Sequence, residues 1–175
     1  MSTAKQMDTD ALRKARGAFF TPPEVAAYVA RWAVRSGSDR VLEPSCGEAA
    51  FLLAAYERMN ALPEAAASTG LDGVELHGAS ARVARSLLRE AGASARVRVG
   101  DFFALKPDAS YDAVIGNPPY VRYQDFDGSD RAASRRAALR AGVALTGLAS
   151  SWAAFTVHST LFLKPGGRLG LVLPA

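Results

Sequence analysis

The segment Asn117-Pro118-Pro119-Tyr120 follows an apolar run and combines residue types that suit a planar amine. The Asn117 side-chain oxygen and a backbone carbonyl can each accept a hydrogen from an exocyclic NH2 group. The Tyr120 ring can stack on the base that carries the amine. The two prolines restrict the backbone and remove two N–H donors, so the segment presents acceptors. These four residues predict a site for a planar NH2 group.

Apolar runs alternate along the chain with helical patterns, which predicts βαβ units around a mainly parallel sheet with helices on both faces. The predicted strands are residues 40–43, 71–76, 95–100, 111–116 and 168–173. The predicted helices are residues 22–35, 49–59, 79–91 and 152–163, with Thr21 as the N-cap of the first. Residues 164–167 predict the turn that ends the last helix. The sequence is therefore of the α/β class.

The residues that close each predicted strand are candidates for ligand contacts, because ligands of open α/β sheets bind beyond the carboxyl ends of the strands. The first strand leads into the small-residue turn Pro44-Ser45-Cys46-Gly47, which lets a ligand approach the backbone. Glu75 lies at the end of the second strand, where a carboxylate can accept from ribose hydroxyls. Asp101-Phe102 follows the third strand. Together with Asn117, these residues predict a nucleoside-shaped site.

Composition and charge set wider bounds on the class of protein. The 175 residues are 49% hydrophobic and 22% charged, which is typical of one globular domain. No run approaches the roughly 18 apolar residues of a membrane span, and the polar start of the chain lacks a secretory signal. The single cysteine, Cys46, agrees with a reducing compartment, and the net charge of +4 permits nucleic acid as a partner. Neither His77 nor His158 has partners at metal-ligand spacing, so no metal is predicted.

From Gly17 to Pro174 the chain resembles the DNA methyltransferases that use S-adenosylmethionine, specifically the adenine-N6 type with an N-terminal cofactor motif. Residues 17–22 resemble the motif that contacts the methionine part of the cofactor, and residues 42–47 resemble the main cofactor loop. Residues 117–120 match the catalytic motif without a substitution, and Trp152 and Phe155 resemble aromatic positions before strand five. The resemblance implies a Rossmann-like methyltransferase fold.

The resemblance also assigns roles to residues. Asn117, Pro118 and Tyr120 are implied to be catalytic: the Asn117 side-chain oxygen and the Pro118 carbonyl accept both hydrogens of adenine N6, and Tyr120 stacks on the flipped base. The cofactor is S-adenosylmethionine, and the residues implied to bind it are Phe20, Thr21, Glu43, Pro44, Ser45, Cys46, Gly47, Glu75, Leu76, Asp101, Phe102 and Asn117. The residues implied to contact the substrate are Asn117, Pro118, Pro119, Tyr120 and Arg122.

The chain departs from the family pattern at two places. Ala49 stands where the family usually has a second glycine in the cofactor loop. The sequence ends soon after the fifth predicted strand, so we expect residues 1–175 to be an incomplete cofactor-binding catalytic domain without a target-recognition domain. The implied partners are double-stranded DNA and a separate recognition or specificity polypeptide, but no membrane, and the implied location is a prokaryotic cytoplasm.

The function that the sequence predicts is methyl transfer to adenine N6 in DNA, within a restriction-modification system. Two alternatives remain open. A protein glutamine N5-methyltransferase would meet the same two hydrogens on a planar amide, although the N-terminal cofactor motif argues against it. A truncated or split module would bind the cofactor without turnover. The arginines of residues 121–148 either contact phosphates or belong to a solvated loop and short helix; they are Arg122, Arg131, Arg135, Arg136 and Arg140.

Overall fold

Strands within the described residues form one parallel sheet. The structure, a computed structural model, describes residues 21–63, 70–119, 128–144 and 151–173. Its strands are β1 (Arg40–Glu43), β2 (Gly70–Glu75), β3 (Ala95–Val99), β4 (Tyr111–Gly116) and β5 (Leu163–Leu171). They lie in the order β3-β2-β1-β4-β5, and each neighbouring pair is parallel. The predicted α/β class is confirmed, and β1 and β4 have the predicted bounds.

Helices cover both faces of this sheet, as the sequence predicts. The described helices are α1 (Pro23–Ala33), α2 (Ala50–Asn60), α3 (Gly78–Glu90), α4 (Gly128–Arg140) and α5 (Ser151–Thr160), with a short 3-10 turn at Phe102–Ala104. Alternate residues of each strand point to opposite faces. Val41 of β1 packs in one core with α1, α2 and α3, whereas Leu42 packs in a second, aromatic core with α4 and α5. The central strands β1, β2 and β4 are therefore buried between two layers of helices.

The fifth strand begins earlier than predicted. Leu163 pairs with Tyr111, and the next pair joins Arg168 to Ala113, so four residues of β5 lie opposite the single residue Asp112. Lys164 leaves the ladder at this irregularity, and its Nζ binds the two carboxylate oxygens of Asp112 at 2.9 and 2.8 Å. The predicted turn at residues 164–167 is thus an excursion inside a strand, because Leu163 is already paired before the chain loops out.

The prediction that Thr21 caps the first helix is wrong. Pro22 occupies the N-cap position of α1 without a side-chain hydrogen bond, and its carbonyl accepts from the backbone N–H groups of Val25 and Ala26. A proline at this point fixes the backbone angle before the first turn. The side chain of Thr21 is buried and turns instead towards the end of β4.

The loop after β1 packs directly on the middle of β2. A Cβ built on Gly73 would lie 2.9 Å from Leu52 Cδ1 and 3.0 Å from Cys46 Sγ. The Cys46 N–H donates to the Val74 carbonyl at 2.9 Å. A Cβ at this position would force the side chain of Leu52 or Cys46 to move, so Gly73 lets the loop pack close to the sheet.

Replacing Gly73 by alanine tests this packing. We expect Gly73→Ala to lower the free energy of unfolding by about 1–3 kcal/mol, because the added methyl group overpacks a buried site. Chemical denaturation followed by circular dichroism measures the change. Gly78→Ala, at the start of α3, is the matched control, since its Cβ would meet no described atom closer than Arg82 at 3.9 Å. Equal stability of the Gly73→Ala protein would contradict the close packing.

Among the described residues, no helix is both long and apolar enough to cross a membrane.

Candidate functional site

The carboxyl ends of β1, β2 and β4 converge at one edge of the sheet. The Gly47 N–H, in the loop after β1, donates to Glu75 Oε2 at the end of β2, at 2.9 Å. A Cβ built on Gly116, the last residue of β4, would lie 3.5 Å from Glu43 Cγ. The Gly116 carbonyl accepts from Val172 at 3.0 Å, so the end of β5 reaches the same edge. The predicted site residues at the ends of β1, β2 and β4 that the structure describes therefore lie at one edge of the sheet.

Glu75 connects two loops at this edge. It is only 6% exposed, and its second oxygen, Oε1, accepts from the His77 N–H at 2.8 Å. Each carboxylate oxygen has two lone pairs, so Glu75 can hold both loops and still accept from a ligand hydroxyl. The neighbouring Leu76 is 61% exposed and offers an apolar surface beside that carboxylate.

Glu43 is the most deeply buried carboxyl group of the site. It is 2% exposed, and its Oε2 accepts from the Leu52 N–H at 3.1 Å, in the first turn of α2. Burial raises the pKa of Glu43 well above its ordinary value, the backbone hydrogen bond from Leu52 opposes this, and the charge of Glu75 adds to the rise. Burial therefore disfavours the charged form of the Glu43 carboxyl and raises its pKa.

The loop between β1 and α2 contains two residues in the left-handed region. Gly47 has φ +50, and a Cβ there would meet no atom of the described residues within 4 Å, so those residues leave this part of the loop open to a ligand. Ala49 has φ +70 and is fully buried, with its methyl group in the core. The methyl group therefore does not project into the site. Its cost is conformational, about 1–2 kcal/mol for an L-residue in this region, which is why glycine suits the position.

The other residues of this loop, Pro44, Ser45 and Cys46, lie beside the carboxyl groups. Pro44 and Cys46 are buried, and Ser45 is half-buried. Burial raises the pKa of the Cys46 thiol, and the charges of Glu43 and Glu75 raise it further. The thiol is thus neutral and serves as packing against Gly73.

Asp101 and Phe102 form a turn that an aromatic cluster holds in place. Asp101 Oδ1 accepts from the Phe103 N–H at 2.9 Å and so caps the 3-10 turn. The Phe102 ring is 2% exposed and lies 5.2 Å from the Phe155 ring and 4.7 Å from the His158 ring, between centroids. Phe102 and Phe155 are therefore core residues by position, and the sequence-based cofactor role of Phe102 stays a prediction.

His158 supports this turn, and the sequence did not identify it as part of the site. Its Nε2 lies 3.2 Å from the Phe102 carbonyl oxygen. Burial lowers the pKa of His158 and thereby favours the neutral ring, whose Nε2–H tautomer can donate to that carbonyl. The i, i+3 spacing of Phe155 and His158 on α5 was the available signal, because it places both rings on one face of the helix.

The Asn117 amide has one satisfied end and one open end. Its Nδ2 donates to Thr21 Oγ1 at 3.1 Å, across 96 residues of sequence. Its Oδ1 is buried and accepts no hydrogen bond from the part of the chain that the structure describes. A buried acceptor without a donor is costly, so this atom is the natural contact for a ligand N–H group.

The remaining predicted site residues fall into two groups. Pro118 is buried and Pro119 is half-buried, directly after Asn117. Three predicted residues, Phe20, Tyr120 and Arg122, lie outside the described residues. The structure therefore brings together the predicted residues of the strand ends, and the roles given to each one stay predictions.

The fold and the site define a doubly wound α/β domain that carries polar strand ends suited to a nucleoside. A family model described as N-6 DNA Methylase matches residues 6–175. The chain belongs to the N-6 DNA methylase family, and the resemblance predicted from the sequence is confirmed.

Individual relatives agree with this family. The chain is 32% identical over 155 residues to the type II methyltransferase M.XamI of Xanthomonas campestris pv. amaranthicola, covering 86% of this chain and 28% of that protein. The chain therefore spans less than a third of this relative's length.

Two solved structures share the fold. The methyltransferase subunit of a type I restriction-modification system from Streptococcus thermophilus has a TM-score of 0.65 and 21% identity, covering 89% of this chain and 34% of its own. A geranyl diphosphate C-methyltransferase from Streptomyces coelicolor A3(2), in complex with S-adenosyl-L-homocysteine, has a TM-score of 0.52 and 21% identity, covering 82% and 41%. The predicted Rossmann-like methyltransferase fold is confirmed.

The raised pKa of Glu43 predicts how stability depends on pH. When the pKa of a carboxyl group is higher in the folded state, its protonated form stabilises the fold. This stabilisation is fully present at pH values below the ordinary pKa of 4.5, and it is lost as the pH rises through the pKa of the folded state. Glutamine imitates the protonated form. We therefore expect Glu43→Gln to unfold at a higher temperature than the unchanged protein at pH 7, with a smaller difference near pH 4.5.

Thermal unfolding across this pH range checks the expectation. Glu57→Gln is the control, because Glu57 is exposed on α2 and should leave the profile unchanged. A Glu43→Gln protein that is less stable at pH 7 would show that the fold favours the charged carboxylate.

Proposed function

We propose that this chain is the cofactor-binding and catalytic part of a DNA methyltransferase that modifies adenine N6 in a restriction-modification system. The observation that carries the proposal is Asn117 Oδ1, a buried acceptor without a donor among the described residues, at the end of β4. An exocyclic amine supplies the missing donor. Membership of the N-6 DNA methylase family favours adenine as the group that carries this amine.

Asn117 and Pro118 hold the amine in this proposal. Asn117 Oδ1 accepts one N6 hydrogen, and the Pro118 carbonyl accepts the other, so that electron density on N6 increases and its lone pair faces the methyl donor. Bound S-adenosylmethionine supplies an electrophilic methyl group on a sulfonium. The new N–CH3 bond would form as the S–CH3 bond breaks, and N6 would release one proton to solvent. Prealigned acceptors of this kind contribute several kcal/mol in other active sites.

The residues around Glu75 fit an adenosine-bearing cofactor. Among the residues that the structure describes, Glu75 keeps lone pairs for ribose hydroxyls, Gly47 has open space above the loop, and Leu76 exposes an apolar side chain for the adenine ring. Asp101 follows β3 at the same edge of the sheet and is the proposed contact to the adenine amine. These residues suit the adenosine part of S-adenosylmethionine.

Double-stranded DNA is the proposed substrate, and target recognition is assigned to a further domain or a separate specificity polypeptide. Adenine N6 is paired in a duplex, so the base must leave the stack to reach Asn117. Tyr120 is the proposed stacking ring for the flipped base. Arg135, Arg136 and Arg140 are exposed on α4 and would contact phosphates as this base is held.

A labelling experiment tests the proposed reaction. The complete gene product is incubated with methyl-labelled S-adenosylmethionine and unmethylated DNA, and the labelled base is identified after digestion. We expect label on adenine N6. Asn117→Ala should reduce transfer by about a hundredfold or more, because it removes one prealigned acceptor. The matched control Asn60→Ala, at an exposed position at the end of α2, should transfer normally.

Other outcomes separate the alternatives. Label on cytosine, or on a protein glutamine, would contradict adenine as the substrate. Cofactor binding without transfer would support a non-catalytic module. The absence of cofactor binding would contradict the enzyme assignment altogether.

A further inference from the structure

Thr21 and Asn117 form a contact that joins the start of the described chain to the end of β4. Thr21 is 8% exposed, and its Oγ1 accepts from Asn117 Nδ2 at 3.1 Å. Resting on the proposed function, we propose that Thr21 is a positioning residue, which orients the Asn117 amide so that Oδ1 and not Nδ2 faces the target amine.

The orientation of this amide decides whether the site attracts or repels an amine. The two ends of an asparagine amide have nearly the same shape, but Oδ1 accepts hydrogen bonds and Nδ2 donates them. An amine facing Nδ2 would meet a second donor, so the hydrogen bond that activates N6 would be lost. Hydrogen-bond partners determine which of the two orientations is occupied.

The surroundings of Asn117 favour the orientation with Oδ1 towards the target. Pro118 and Pro119 have no N–H groups, so neither donates to Oδ1, and this oxygen stays available to a ligand. A rotated amide could accept from the Thr21 hydroxyl, but it would leave both Nδ2 hydrogens buried at the open end. The rotated amide would place two buried N–H donors at the open end, and buried donors without a partner are rarer in folded proteins than buried acceptors, so the rotated form is the less favourable arrangement before a ligand binds.

Thr21 is well placed for this role because its backbone is held. Pro22 follows it at φ −55 and accepts two backbone hydrogen bonds from the first turn of α1. Proline also restricts the residue that precedes it to extended conformations. The hydroxyl of Thr21 therefore remains at a fixed position beside β4 while the strand itself fixes Asn117.

Two substitutions of Thr21 separate the hydroxyl group from the volume of the side chain. Thr21→Val keeps the shape and removes the hydroxyl, whereas Thr21→Ser keeps the hydroxyl. In the complete gene product, we expect Thr21→Val to lower kcat for methyl transfer by about threefold to tenfold, the usual effect of one hydrogen bond. Thr21→Ser should retain kcat, and calorimetry should give an unchanged cofactor Kd for both.

The opposite pattern would overturn the inference. If Thr21→Val weakens cofactor binding and keeps kcat at saturating cofactor, Thr21 is a cofactor contact that does not act through Asn117. Thermal unfolding of both variants shows whether they are folded. If Thr21→Val is unfolded, Thr21→Ser provides the test, and the inference then requires that it retain kcat. A protein that is inactive without any substitution contradicts the proposed function instead.

Asn117→Asp provides a second and sharper test. Both oxygens of a carboxylate are acceptors, so the orientation that Thr21 controls no longer matters. Under single-turnover conditions with excess protein, we expect Thr21→Val to cause no further loss of rate in the Asn117→Asp background. An equal loss in both backgrounds would contradict a role through Asn117. If Asn117→Asp has no measurable rate, the test rests on the kcat values of Thr21→Val and Thr21→Ser.

Discussion

Buried polar atoms need hydrogen-bond partners, and this requirement organises the carboxyl edge of the sheet. Glu43 satisfies a backbone N–H at the start of α2, and Glu75 satisfies one N–H in each of two loops. Asp101 caps the turn after β3. These three carboxyl groups hold the loops in place, and the same edge leaves the oxygen of Asn117 without a donor among the described residues. The geometry of the candidate site depends on which acceptor oxygens receive a hydrogen bond from the described residues and which do not.

The sequence predicted the parts of the fold that depend on local pattern. β1 and β4 are short apolar runs bounded by polar or turn residues, and their bounds were correct. The start of β5 was not predictable, because it depends on Leu163 pairing with Tyr111 from another part of the chain. The contact between Thr21 and Asn117 was not predicted, for a related reason. A threonine before prolines looks like a helix cap, and only the tertiary structure shows that its hydroxyl meets Asn117.

Some features of the candidate site were likewise predictable from the sequence, and others were not. Motif spacing identified the polar strand ends, and the topology of a parallel sheet was sufficient to expect them at one edge. The sequence could not predict that the Ala49 methyl group lies in the core, because this position depends on a left-handed backbone conformation that only the structure shows. It also could not identify His158, whose contact with the Phe102 carbonyl depends on how α5 packs against the turn after β3.

The fold alone does not identify the substrate, because proteins with this fold act on unrelated molecules. Asn117 therefore carries the central claim: its buried Oδ1 is the acceptor for the amine that becomes methylated. A crystal structure of the complete gene product with a non-reactive cofactor analogue and a substrate DNA measures this directly. We expect adenine N6 within about 2.7–3.2 Å of both Asn117 Oδ1 and the Pro118 carbonyl oxygen. An extruded adenine whose N6 contacts neither oxygen, with Asn117 Oδ1 turned towards Thr21, would contradict the claim.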